Sequence, residues 1–169
     1  LTSLPPEIRN LKRLASLSMG FNHLQGSIPR GLGVMSALRG LFLENNKLTG
    51  TIPDDLYTLE NLLQLELDHN LLSGQLPESL AWMPNLETLH LNDNQLQGDV
   101  PAFTASNLTS MVSLFLQGNS FTSLPQSLED YACQVGRNAS EPIQCDVGAG
   151  SFRAPLCKEF PCMVKYCAL

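Results

Sequence analysis

The stretch Leu62 to Leu80, LLQLELDHNLLSGQLPESL, contains the unit that recurs along most of this 169-residue chain. Prolines repeat every 24 residues, at Pro5, Pro29, Pro53, Pro77, Pro101 and Pro125. Asparagines repeat in the same register, at Asn22, Asn46, Asn70 and Asn94, and then at Asn119, one residue late. A period of this length predicts a solenoid, in which each unit buries its apolar face only by stacking on its neighbours.

The spacing inside one unit, LxxLxLxxNxLxGxIPxxL, resembles the plant-type leucine-rich repeat. Its pattern is met in the quoted stretch by Leu62, Leu65, Leu67, Asn70, Leu72, Gly74, Leu76, Pro77 and Leu80. The resemblance implies an α/β fold, a right-handed solenoid with a parallel β-sheet on its concave face and short 3-10 or helical segments on its convex face. Proteins built on this repeat include the ectodomains of plant receptor-like kinases and receptor-like proteins, and the polygalacturonase-inhibiting proteins.

We divide the chain into leucine-rich repeats over residues 1–128 and a cysteine-rich C-terminal cap over residues 129–169. A partial first repeat, residues 1–10, precedes five full repeats, residues 11–128. The opening residues LTSLPPEI match the FTSLPQSL that closes the last repeat, so they read as the second half of a repeat. A bare solenoid end exposes core leucines, so we expect upstream sequence or a neighbouring subunit to cover the N-terminal end.

The alternation of leucine with polar residues predicts which side chains face the core. Leu65 and Leu67 point inward along one strand, whereas Glu66 and Asp68 point outward. Asn70 ends the strand, and its amide is expected to pair with backbone groups of the adjacent coil. The five asparagines that repeat are therefore predicted to form a structural ladder of hydrogen bonds.

The convex side is expected to carry short helical turns after each proline. Residues 78–82 suit such a turn, because Pro77 presets φ and ends the preceding extended segment. We expect Trp82 to pack into the core between coils, with a role as an interface anchor as the alternative. Phe103 is expected to fill a leucine position in the lengthened fourth repeat.

Composition limits the classes of partner. Ten basic and sixteen acidic residues give a net charge of −6, which argues against nucleic acid and anionic membrane surfaces and favours a basic partner. No apolar run reaches the roughly 18 residues that a membrane helix needs, so we expect no direct membrane insertion of this segment.

Five cysteines lie within the last 37 residues and none lies in the repeats: Cys133, Cys145, Cys157, Cys162 and Cys167. This density predicts a disulfide-stapled cap, although the sequence does not choose a pairing. Zinc is the competing interpretation, but the segment has no CxxC spacing and no histidine. Two glycosylation acceptors, Asn107 and Asn138, agree with an oxidising compartment.

Catalytic motifs are missing: the sequence has no HExxH, GxSxG or phosphate loop, so we predict a non-enzymatic protein without a cofactor. Gly31 and Gly33 come close to a dinucleotide fingerprint, but they fall in a convex turn. We assign no metal site. The pairs His69 with Asp93 and Glu66 with His90 offer ligands for a divalent ion without a closed geometry.

Three rows of outward residues run across the predicted concave sheet, since corresponding positions of successive strands become neighbours. The first row is Ser18, Phe42, Glu66, His90 and Phe115; the second is Gly20, Glu44, Asp68, Asn92 and Gln117; the third is Phe21, Asn45, His69, Asp93 and Gly118. Aromatic residues on a solvated face and adjacent like charges are not required by a scaffold. The predicted partner-binding residues are therefore Phe42, Glu44, Glu66, Asp68, His69, His90, Asn92, Asp93 and Phe115.

The functional prediction is a non-catalytic extracellular recognition module that binds a protein, a peptide or a glycan-associated partner through its concave face. The resemblance implies this surface, and the expected location is the extracellular space or cell surface, reached by the secretory pathway, or another oxidising lumen. The alternative is an assembly subunit that contacts its neighbours through the open N-terminal coil or the cap. Ice binding ranks last, because the column Ser27, Thr51, Gln75 and Asp99 is too irregular.

Overall fold

The structure is a computed structural model, and it describes residues 2–103, 110–123 and 125, together with the backbone of residues 144–146. Four of the five cysteines, Cys133, Cys157, Cys162 and Cys167, lie outside these residues, as do the two predicted glycosylation acceptors, Asn107 and Asn138. The side chain of Cys145 is also outside the description. The predicted disulfides and glycosylation sites therefore stay predictions.

Two parallel sheets form the solenoid. Six short strands form the concave sheet: β1 (Ser16–Ser18), β3 (Gly40–Phe42), β5 (Gln64–Glu66), β7 (Thr88–His90), β9 (Ser113–Phe115) and β11 (Gln144–Asp146). Five strands form the second sheet: β2 (Gln25–Ser27), β4 (Lys47–Gly50), β6 (Leu71–Gln75), β8 (Gln95–Asp99) and β10 (Ser120–Ser123). The predicted class, a leucine-rich-repeat solenoid with a parallel concave sheet, is confirmed.

Four 3-10 helices, Pro6–Asn10, Leu32–Val34, Asp54–Thr58 and Glu78–Trp82, line the convex side of the described repeats. Three of them follow a proline with extended backbone: Pro5, Pro53 and Pro77 have φ between −78° and −65°. The fixed φ of proline ends the extended segment at that point, as the sequence predicted. The turn expected at residues 78–82 is therefore confirmed as a 3-10 helix.

Leucines from successive coils stack into one continuous core. In the concave sheet, Leu17 pairs in register with Leu41, Leu41 with Leu65, Leu65 with Leu89 and Leu89 with Leu114. The last four are at most 2% exposed. Burying a leucine side chain in this way contributes about 1.5–3 kcal/mol. Phe103 is 3% exposed, in agreement with its predicted place in the core.

The repeating asparagines join adjacent coils. Asn70 Nδ2 donates to the carbonyls of Leu43 and Leu67, 3.0 and 3.1 Å away, and its Oδ1 accepts from the Leu48 N–H at 2.9 Å. Equivalent bonds are made by Asn46, Asn94 and Asn119. Asn22 is exposed, and among the residues that the structure describes its side chain bonds only within its own coil, to the carbonyls of Met19 and Gly20.

The turn at Gly31 and Gly33, which resembled a dinucleotide fingerprint, binds the Asp55 carboxylate of the next coil. Asp55 Oδ2 accepts from the N–H groups of Gly31 at 2.8 Å and Gly33 at 3.0 Å. A Cβ on Gly33 would collide with the backbone carbonyl of Asp55, so this position requires glycine. The turn therefore links two coils.

Two features differ from the sequence predictions. Trp82 is 72% exposed, so the expectation that it packs in the core is wrong: it ends its 3-10 helix, while Leu80 and Ala81 of that helix fill the space between coils. Strand β11 pairs in parallel with β9, so the concave sheet extends into residues that we assigned to the cap. No helix among the described residues has the length and apolar character of a membrane span.

Candidate functional site

The backbone register places the first row of outward residues side by side. Ser18 pairs with Phe42, Phe42 with Glu66, Glu66 with His90 and His90 with Phe115. Because the strands are parallel and in register, these side chains follow one line across the concave face. The sequence period of 24 residues, and 25 at the last step, predicted this line.

The second and third rows continue the stack beyond the strand ends. Backbone N–H groups of Phe21, Asn45 and His69 donate to the carbonyls of the next coil, at 3.0 Å each. All five residues of the third row have left-handed backbone conformations: Phe21, Asn45, His69 and Asp93, with φ between 51° and 55°, and Gly118, with φ 67°. This turn directs the chain off the concave sheet toward the buried asparagines. In Phe21, a bulky residue that is 77% exposed, the conformation is unusual.

The two aromatic residues of the first row are half-buried, although the sequence placed them on the solvated side. The Phe42 ring lies over Gly40 of the same strand, where an added Cβ would be 2.5 Å from Phe42 Cε2. The Phe115 ring stacks on His90 with centroids 4.4 Å apart and planes inclined by 29°. Both rings are therefore held against the sheet, with part of each facing the groove.

Three carboxylates lie close together: Glu66 in this row, and Glu44 and Asp68 in the second row. Burial raises the pKa of Glu66, and the charges of Glu44 and Asp68 raise it further. Burial also raises the pKa of Asp68, while its own backbone N–H and the neighbouring histidines act in the opposite direction. Glu44 folds over Gly20, and its Oε2 is buried without a hydrogen-bond partner. The three negative charges repel one another, and this repulsion dominates the electrostatics of the site.

His90 lies between the acidic and aromatic parts of the row. Its Nδ1 is 3.9 Å from Glu66 Oε2, and its Nε2 is 2.8 Å from the hydroxyl of Ser113. Burial lowers the pKa of His90, and the Asp68 charge only partly opposes this effect. The imidazole is therefore neutral near pH 7, and it does not neutralise the carboxylates.

Of the remaining predicted residues, His69 and Asp93 are more exposed, whereas Asn92 is buried beside them. His69 Nδ1 is 3.4 Å from Asp93 Oδ2, and His69 Nε2 is 3.8 Å from Asp68 Oδ2. Asn92, which is 7% exposed, donates its Nδ2 to Asp93 Oδ2 at 2.8 Å. The structure thus places the nine predicted partner-binding residues on adjacent coils of the concave side, with Asn92 buried. We call this group the concave patch: Phe42, Glu44, Glu66, Asp68, His69, His90, Asn92, Asp93 and Phe115.

Within the described part of the chain, the carboxylates of the concave patch form ion pairs within 4.0 Å only with histidines. No lysine or arginine of these residues neutralises them. The patch therefore presents uncompensated negative charge between two aromatic rings.

Three residues that support the patch were missed by the sequence analysis. Gly40 and Gly20 leave the space that the Phe42 ring and the Glu44 carboxylate occupy, and Ser113 bonds His90. A glycine at an outward position of a strand was the available signal, since glycine there often marks a close approach of another group. Ser113 carried no signal, because its partner lies 23 residues away.

Comparison with protein families agrees with the repeat geometry. Residues 37–59 and 61–83 each match the leucine-rich repeat family, and residues 84–128 match a family model that covers two copies of the repeat. Together these stretches make up more than half of the chain. The chain therefore belongs to the leucine-rich repeat proteins. No curated protein matches it in overall sequence.

Solved structures with this fold include plant receptor proteins. The chain is 28% identical to the plant peptide hormone receptor RGFR1, solved in complex with RGF2, with a TM-score of 0.74 over 86% of the chain and 23% of the receptor. It is 32% identical to pollen receptor kinase 3, with a TM-score of 0.67 over 73% of the chain and 60% of that protein. A plant ice-binding protein is 30% identical, with a TM-score of 0.67 over 76% of the chain and 42% of that protein. The chain thus spans about a quarter of the hormone receptor.

Proposed function

We propose that this chain is a non-catalytic recognition module that binds a protein or peptide with a basic side chain through the concave patch. One observation carries the proposal. The half-buried rings of Phe42 and Phe115 stand on either side of Glu66 and His90 in the first row. The Glu66 carboxylate lies near two others and has no lysine or arginine partner among the described residues. A ligand that brings a cationic group between the rings relieves this repulsion and covers apolar surface.

The comparisons support a ligand-binding role of this general kind. One similar structure is a plant peptide hormone receptor in complex with RGF2. The present chain spans only 23% of that receptor. That it also binds a peptide ligand is therefore part of our proposal. On the same ground we propose an extracellular location.

The non-catalytic part of the proposal depends on the surroundings of one serine. Ser113 Oγ lies 2.8 Å from His90 Nε2, which is the spacing of a nucleophile and its base. However, the backbone N–H groups of Val112 and Ser113 both donate to the Glu87 carbonyl, at 2.7 and 3.0 Å. They are therefore unavailable as an oxyanion hole, which acyl transfer requires. The pair is better explained as support for the histidine ring.

A second candidate function, an assembly subunit, is favoured by apolar residues elsewhere. Leu11 is 51% exposed and Phe21 is 77% exposed on the first coil, and Trp82 is 72% exposed on the convex side. Exposed aromatic residues are common anchors of protein interfaces. In this alternative the open first coil or the convex side contacts the neighbouring subunit.

Ice binding is not proposed, although one similar structure is a plant ice-binding protein. Ice binding needs a regular array of hydroxyl side chains, but the column that begins with Ser27 and Thr51 continues with Gln75 and Asp99. The Asp99 carboxylate accepts hydrogen bonds from Thr122 and Ser123, 2.6 Å each, so it interrupts a regular hydroxyl array.

The proposal is tested by selecting a displayed random-peptide library on the immobilised full chain. We expect enriched peptides to carry lysine or arginine, and synthetic copies to bind more weakly to Phe42→Ala, Phe115→Ala and Glu66→Gln variants. Truncating a desolvated aromatic anchor costs about 2 kcal/mol or more, mainly through faster dissociation. Replacing Glu44 and Asp68 by glutamine and asparagine should slow association and flatten its salt dependence.

Trp82→Ala serves as the matched control, because it removes an aromatic side chain on the opposite side of the molecule. Selected peptides that bind all the concave variants with unchanged affinity but lose binding to Trp82→Ala would refute the concave-face proposal. That result would favour the assembly role.

A further inference from the structure

Three side chains of the concave patch converge on one point. Glu66, Asp68 and His90 each offer a ligand atom, and these atoms lie within 4.8 Å of one another. Glu66 and His90 are register partners on β5 and β7, and Asp68 follows Glu66 by two residues on the same face. The sequence analysis had paired Glu66 with His90 and His69 with Asp93, without a closed geometry. The structure supplies the third ligand from Asp68.

The His90 ring is fixed so that one nitrogen faces the carboxylates. The Phe115 ring stacks against it, and the Ser113 hydroxyl engages Nε2 at 2.8 Å. When Nε2–H donates to this hydroxyl, the Nδ1 lone pair faces Glu66 Oε2 at 3.9 Å, too far for a hydrogen bond. Metal-bound histidines are typically oriented in this way, by a hydrogen bond at the second ring nitrogen.

The charges around these three residues favour a bound cation. The Glu44 carboxylate adds negative charge from the neighbouring coil, and its Oε2 is buried without a hydrogen-bond partner. In the described residues no lysine or arginine lies within 4.0 Å of Glu66 or Asp68.

Distances within the cluster suit a small ion. Ligands placed tetrahedrally about 2.1 Å from zinc lie about 3.4 Å apart. The Nδ1 to Oε2 separation of 3.9 Å must therefore shorten by about 0.5 Å, and a separation at the 4.8 Å limit of the cluster by about 1.4 Å. Calcium prefers six to eight oxygen ligands, whereas imidazole with carboxylates suits zinc and its neighbours in the first transition row.

We propose that Glu66, Asp68 and His90 bind one divalent transition-metal ion of the zinc type. Three protein ligands leave a fourth position open toward the concave groove, where water or a donor atom of a partner completes the coordination. The ion and the basic side chain of the proposed peptide draw on the same carboxylates, so we expect them to compete for Glu66 and Asp68.

The test is calorimetric titration of the full chain with Zn²⁺ alone, at about pH 7.5. We expect saturable binding of one ion, and at least tenfold weaker binding by each of Glu66→Gln, Asp68→Asn and His90→Gln. These replacements preserve shape at half-buried positions, and circular dichroism checks that the variants fold. His69→Gln is the matched control, because His69 also contacts Asp68 but is not one of the ligands. It should bind within about twofold of the unsubstituted chain.

Titration with Co²⁺ separates this site from the five cysteines. Nitrogen and oxygen ligands give weak visible bands, whereas thiolate ligands add an intense band in the near ultraviolet. The proposal is overturned by failure to bind either ion, by a thiolate spectrum, or by unchanged affinity in the three ligand variants. Loss of binding only in His69→Gln would also overturn it. Peptide selection is carried out on the metal-free chain, so failure of this proposal is distinguishable from failure of the recognition role.

Discussion

The rings of His90 and Phe115 stack with their centroids 4.4 Å apart, although 25 residues separate them in the sequence. The stack joins the acidic and the aromatic parts of the concave patch. It also holds His90 Nδ1 toward Glu66. Two residues that are distant in the chain thus define one local environment.

The asparagine ladder predicts a difference in stability between two asparagines. Asn70→Ala leaves the Leu48 N–H and the carbonyls of Leu43 and Leu67 without their partner, at about 1–3 kcal/mol for each unsatisfied buried group. Asn22 is exposed and bonds only within its own coil, so Asn22→Ala should be milder by at least about 2 kcal/mol. Urea unfolding measures both variants, and equal midpoints would contradict the ladder.

The convex helix Glu78–Trp82 predicts opposite outcomes for two neighbouring residues. Leu80 is 1% exposed, so Leu80→Ala should destabilise the fold by about 2–5 kcal/mol. Trp82 is 72% exposed, so Trp82→Ala should change the free energy of unfolding by less than about 0.5 kcal/mol. Thermal or urea unfolding tests the pair. A large loss in Trp82→Ala would show that this side chain is covered.

The pKa directions in the concave patch predict how stability changes with pH. Burial lowers the pKa of His90, so between that lowered value and about 6.5 the unfolded chain binds more protons than the native one. Stability from neutral His90 is therefore lost as the pH falls through this window. His90→Gln should lose less free energy of unfolding than the unsubstituted chain between about pH 7 and pH 5.

Glu66 should act in the opposite direction. Burial and nearby carboxylates raise its pKa above 4.5, so the native chain holds the proton more tightly and acidification through that window stabilises the fold. Glu66→Gln removes this gain and should lose more free energy than the unsubstituted chain over the same pH range. Urea midpoints at the two pH values provide the measurement. Parallel shifts in both variants would rule out this electrostatic coupling.

The cysteines predict a redox-sensitive C-terminal segment. We expect at least two disulfides among Cys133, Cys145, Cys157, Cys162 and Cys167, each contributing about 2–4 kcal/mol by restricting the unfolded chain. Thiol titration of the denatured, unreduced protein counts the free groups. Four or five free thiols would refute both the stapled cap and the oxidising compartment. A lower melting temperature after reduction is the expected companion result.

The sequence by itself determined the repeat, the direction of the leucines and the row that joins Phe42, Glu66, His90 and Phe115. These features follow from local periodicity, because strand alternation sets which side each residue faces and a constant repeat length sets its neighbour. The 3-10 helix after Pro77 was also predictable, since proline fixes φ locally.

Tertiary structure decided where the side chains of that row lie. The Phe42 ring folds over Gly40, Asp68 joins Glu66 and His90, and Ser113 orients the imidazole. Trp82 points to solvent although its residue type suggested the core. Rotamers and cross-strand distances depend on the space left by neighbouring coils, and no pattern within a single repeat contains that information.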